Sequence, residues 1–87
     1  MRIYKFHAPL SAGIFDANMN VGAKVLSAQM QGEDPVMWAL VDTSKPLETK
    51  HFRWYATGEA FNPDDAGGFV ATVQMGQFVF HLFEVSL

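Results

Sequence analysis

Cysteine is missing from the 87 residues, so neither a disulfide framework nor a thiolate metal cage can hold this chain together. Basic residues are few, and none follows Arg53: Glu59, Asp64, Asp65 and Glu84 leave the last third of the chain acidic, with −3 overall. Recognition of phosphate backbones needs a clustered excess of Lys and Arg, so nucleic acid is not an expected partner. No apolar run approaches the roughly 18 residues that a membrane span requires, and MRIYKFH lacks the core of a signal peptide. No membrane partner and a cytoplasmic location are the expectation.

What is present is apolar and aromatic: 49% of residues are hydrophobic and 14% are Phe, Trp or Tyr, which excludes a disordered chain. At 9.7 kDa the chain suits a single domain, residues 1–87, with a small core and marginal stability. Its periodicity is that of strands. Residues 1–7 alternate, Ile3 against Tyr4 and Phe6, and Pro9 closes the run. SAGIFDANMNVGAK mixes Gly and Asn with scattered apolar residues and reads as a loop leading into a short extended piece at Asn18 to Val21; two turns of helix are the minority reading. KVLSAQMQ alternates again, with Leu26, Ala28 and Met30 on one face. Gly32 to Pro35 make a four-residue turn into VMWALVD, a run buried on both faces.

TSKPLETK reads as a polar connection, with room for one helical turn at Leu47 to Lys50. HFRWYATGE then sets Phe52, Trp54 and Ala56 against His51, Arg53, Tyr55 and Thr57. FNPDDAGG is the longest loop. FVATVQM and FVFHLFEV flank Gly76-Gln77, a Gly-X pair suited to a type II′ hairpin turn. Aromatics on both faces of the last strand mark it as central. The expected fold is all-β and mainly antiparallel: a small β-sandwich or partly open β-barrel of five to six strands, with at most one short helix.

Signals for chemistry are weak. His7, His51 and His81 have no metal-ligand spacing, the serines sit in no GxSxG elbow, and Gly67-Gly68 precedes no GK[ST]. Glu33-Asp34 and Asp64-Asp65 are turn carboxylates, which rarely acquire separated pKa values. The expectation is a protein that is not an enzyme and carries no cofactor or metal. The most suggestive surface is that of His51, Arg53 and Tyr55, with Trp54 beside them: π-surfaces and a cation that can stack a base and hold a phosphate, or anchor a protein interface. Ordinary sheet packing of the same side chains is the bland alternative. Glu59, Asp64 and Asp65 form an acidic loop suited to a basic partner.

From Val21 onward the order of segments resembles a family of short bacteriophage and prophage proteins, the domain of unknown function DUF7352. The resemblance rests on GAKVLSAQMQ at 22–31, MWALVD at 37–42, HFRWYATGE at 51–59 and ATVQMGQFVFHLFE at 71–84, with IYKF at 3–6 matching the opening strand. One segment departs: where the family carries a Gly-Thr-Gly-His-Pro-like stretch, this chain has Ala56-Thr57-Gly58-Glu59-Ala60, so nothing attached to that histidine carries over. The resemblance implies a phage setting and an accessory factor in the host cell. The function expected on that basis is a non-enzymatic binding module that inhibits a host defence system, sequestering a nucleotide-like signal or blocking a host protein. A structural or assembly subunit, or a homo-oligomer, is the alternative.

Overall fold

The computed structural model describes residues 1–65 and 67–86 and is built of strands in two antiparallel sheets. In chain order these are β1 (Arg2–His7), β2 (Ile14–Asn20), β3 (Lys24–Gln31), β4 (Asp34–Val41), β5 (Leu47–Ala56), β6 (Gly68–Met75) and β7 (Phe78–Val85), with a 3₁₀ turn at Pro63–Asp65. One sheet has the order β1-β4-β3 and the other β2-β5-β7-β6. They stack as a sandwich, an open one rather than a closed barrel, whose 16 Å short axis accommodates layers about 10 Å apart. The expected all-β antiparallel architecture is therefore present, with seven strands instead of five or six. The folded chain exposes 5417 Å², close to the roughly 5,100 Å² usual for its mass.

Alternation builds the interior. Phe15 and Met19 of β2, Phe52 and Trp54 of β5, Leu82 of β7 and Ala71 and Val73 of β6 point inward from one sheet. Ala28 of β3 with Met37, Ala39 and Val41 of β4 meet them from the other. Phe15 and Phe52 stack at 5.6 Å across β2 and β5. Every second residue of these strands thus leaves water, the pattern from which such a sheet gains most of its stability.

Three expectations need correction. The stretch expected to be a loop, extended only from Asn18, is strand from Ile14 onward, β2: Phe15, Ala17 and Met19 alternate inward, and pairing with β5, 27 to 39 residues away, supplies the ladder that overrides Gly13 and the asparagines. The polar connection before His51 is shorter than expected, because Leu47 to Lys50 pair with Ala17 to Asn20 and so belong to β5 instead of a helical turn. The β3–β4 loop has two residues, Gly32 and Glu33, with Gly32 at φ +64°, and Asp34 and Pro35 already lie in β4. Gly76-Gln77 forms the expected two-residue turn with φ +62° at the glycine.

The faces of β3 also differ from simple alternation. A bulge between Val25 and Ser27 brings Val25 into phase with Ala28 and Met30 and leaves Leu26 exposed. A second bulge falls between Phe69 and Ala71 of β6. These two bulged edges, β3 and β6, lie against each other, and Val25 and Val70 pack onto the core there. Bulges raise local twist, which suits the place where the two sheets converge.

The chain passes between the sheets three times, from β1 to β2 and at two stacked corners, β2–β3 and β4–β5. At the first, Ala23 N–H donates to Asn20 O over 3.0 Å; at the second, Lys45 N–H donates to Asp42 O over the same distance. Val21 N–H to Pro46 O at 2.8 Å and Asn20 Nδ2 to Lys45 O at 2.8 Å tie the corners together.

Candidate functional site

The register of the four-stranded sheet lays its outward side chains in rows. Asp16, His51 and Val85 form one row, Arg53, Phe83 and Phe69 the next, and Tyr55, His81 and Thr72 the third. Alternation along β5 therefore places His51, Arg53 and Tyr55 on one face, as the sequence requires.

Their surroundings decide what they can do. His51 Nδ1 lies 2.7 Å from Asp16 Oδ1. The Arg53 guanidinium sits 4.7 Å from the centre of the Tyr55 ring, and Arg53 Nη2 reaches Glu59 Oε2 at 3.4 Å. The loop after β5 folds back over the sheet and sets Phe61 on Tyr55, 4.6 Å between ring centres, and on Phe83, 4.9 Å. Phe69 continues the chain of rings at 5.6 Å from Phe83. Tyr55 is only 3% exposed beneath this lid, whereas Phe69 is 61% and Phe61 39% exposed.

The candidate residues separate accordingly. Arg53 and Glu59 come together, and His51 stands one row away. Tyr55 supports the aromatic layer from below and offers no free ring face, a correction to its expected stacking role that follows from Phe61 covering it. Trp54 is a second correction: it points into the sandwich, 4% exposed, and donates its indole N–H to Ala8 O at 3.0 Å. Asp64 is exposed in the 3₁₀ turn, where its N–H donates to Asn62 Oδ1 over 3.0 Å. Asp65 contributes backbone to that turn, and its side chain lies outside the described structure.

Sequence reading missed Phe61, Phe69 and Phe83 as a unit. The available signal was a phenylalanine opening the polar loop FNPDDAGG, an apolar side chain with no strand periodicity to bury it.

Glu59 has a local reason for its place. Its N–H donates to Ala56 O over 3.0 Å, closing a turn with Gly58 at φ +88°, and its Oε1 accepts the Ala56 N–H over 3.1 Å. The carboxylate thus caps the end of β5 while its other oxygen meets Arg53. Beside this pair lies a cleft of about 310 Å³, walled by Leu10 to Gly13, Arg53, Trp54, Ala56, Glu59 and Phe80.

His81 is held by two hydroxyls, Thr57 Oγ1 at 2.8 Å and Thr72 Oγ1 at 2.9 Å. Among the described residues no group of three His, Asp or Glu side chains is placed to hold a metal, and no helix is long and apolar enough to cross a membrane.

The family model for a domain of unknown function, DUF7352, matches residues 1–87. The chain belongs to that family. No curated protein and no solved structure matches it. In this DUF7352 member, then, the aromatic layer and the Arg53–Glu59 cleft are the features on which a functional reading must stand.

Proposed function

We propose that this DUF7352 protein is a small phage- or prophage-type accessory factor, a non-enzymatic binding module acting in the host cytoplasm, and that it inhibits a host defence system by occupying a host protein's surface. The observation that carries the reading is the layer of Phe61, Phe69 and Phe83 on the outer face of the four-stranded sheet. Exposed rings clustered on a rigid sheet over a buried Tyr55 and an Arg53 have the composition of an interface hot spot. Glu59 and Asp64 lie in the loop that carries Phe61, and the last third of the chain has no basic residue, so a partner with a basic rim is favoured.

The test is a panel of bacterial strains, each with one defence system, expressing this protein before phage challenge. Restored plaque formation on one strain, lost on Phe69→Ala with the fold intact, supports the reading. No restoration on any strain overturns it. Phe69 is the right probe because its exposure makes the substitution harmless to folding.

A second reading is favoured by the cleft beside Arg53, which joins a guanidinium, a carboxylate and the aromatic wall of Phe80. Those are groups for a phosphate, a ribose hydroxyl and a base, the chemistry of a nucleotide-like signal. Thermal unfolding with cyclic and ADP-ribose-type nucleotides tests it: a ligand at 100 times its dissociation constant stabilises the fold by about 2.7 kcal/mol. No shift with any nucleotide removes this reading and leaves the first.

A further inference from the structure

A second cavity, away from the outer face, lies where the two sheets part at the β3–β4 turn. It spans about 440 Å³ between His7 at the end of β1, Pro9 and Leu10 just after it, Met30 and Pro35 flanking the turn, and Met75 at the end of β6. Glu33 and Asp34 stand on its rim. Met30 and Met75 come from opposite sheets and pack against the core, so the cavity is the mouth of the sandwich interior. Its frame is fixed: Ala8, fully buried between two lining residues, donates its N–H to Pro35 O over 3.0 Å.

Floor and rim want different things. Methionine side chains are unbranched and polarisable, so they reshape around an apolar guest at little cost. The rim carries two exposed carboxylates with one histidine, and among the described residues neither lysine nor arginine lines the cavity. The nearby Lys5 ammonium is directed to Gln31 Oε1 at 2.7 Å. An apolar hole with a net negative lip complements a molecule with an apolar body and a cationic head, and repels a fatty acid of the same length.

We propose that this mouth is a binding site for a small amphiphilic amine, its apolar body between Met30 and Met75 and its ammonium against Glu33 and Asp34. The site is independent of the aromatic face, so neither stands or falls with the other.

Methionine-methyl NMR tests it, because the chain has five methionines in distinct places. Titration with n-octylammonium, below its micelle-forming concentration, should shift Met30 and Met75 saturably and leave Met1 unmoved. Equal-length n-octanoate should bind about ten-fold more weakly, with 1-octanol between them. The double substitution Glu33→Gln with Asp34→Asn should lower octylammonium affinity to that of octanol. Octanoate binding as tightly as octylammonium overturns the proposal, as do shifts spread evenly over all five methyls or no shift. The comparison of the three head groups is made on the wild-type chain, so it stands even where the double variant fails to fold.

Discussion

Trp54 Nε1 donates to the carbonyl oxygen of Ala8 over 3.0 Å, while the N–H of the same Ala8 donates to Pro35 O. Ala8 is thereby clamped between the sheets, its carbonyl accepting from Trp54 on β5 of one and its N–H donating to Pro35 on β4 of the other. Replacing Trp54 with Phe keeps an aromatic ring in the core but strands the Ala8 carbonyl. The cost of one buried unsatisfied group is about 1–3 kcal/mol. Urea denaturation should show a lower midpoint with an unchanged slope, and a loss under about 0.5 kcal/mol, the scale of a neutral surface change, would deny the clamp.

At the corner after β4, the Asp42 carboxyl is held below its ordinary value of 3.8, first by the Ser44 hydroxyl, 2.6 Å from Oδ1, and then by the Ser44 N–H at 3.0 Å. Both bonds favour the ionised form. Because the folded-state value is the lower one, the contribution to stability is present above the unfolded value and is lost as pH falls through the folded one. Carboxyl-detected NMR should place the Asp42 midpoint below 3.8, and Ser44→Ala should raise it while Ser44→Thr keeps it low. An Asp42 titration insensitive to Ser44→Ala would contradict this.

His81 should carry its proton on Nε2. Thr57 has a single hydroxyl hydrogen, and its Oγ1 is set to donate that hydrogen to Val79 O at 3.2 Å, so it accepts from the ring nitrogen 2.8 Å away. The bare Nδ1 of a neutral ring then accepts from Thr72 Oγ1. Long-range nitrogen–proton spectra at alkaline pH distinguish the tautomers directly. A predominantly Nδ1-protonated ring would refute the assignment.

What the sequence alone makes legible divides along physical lines. The C-terminal hairpin and the faces of β5 were legible because both are local: a Gly-X turn fixes one, and alternation of Phe52 and Trp54 against His51, Arg53 and Tyr55 fixes the other. β2 was not, since its seven residues become a strand only through partners on β5. The bulge at Leu26 reverses the face of Val25, and no period-two pattern announces such an insertion. At the site, shared orientation along β5 was readable, but Phe61 covering Tyr55 depends on how a loop folds back, so the burial of Tyr55 was not.

That loop starts with a turn whose geometry makes a final prediction. Gly58 adopts φ +88°, a left-handed conformation that closes the bond from Glu59 N–H to Ala56 O and aims the Glu59 carboxylate at Arg53. An added Cβ would meet nothing within 4 Å, so a substitution here is penalised through the backbone alone. Gly58→Ala should cost about 1–2 kcal/mol, the usual penalty for an L residue in this region. Gly58→Asn should cost less, because a short polar side chain can hydrogen-bond locally there. The order Gly, Asn, Ala in unfolding midpoint is the expected outcome; equal stability of Ala and Gly would mean that the turn relaxes to another conformation, and with it the hold of Glu59 on the end of β5.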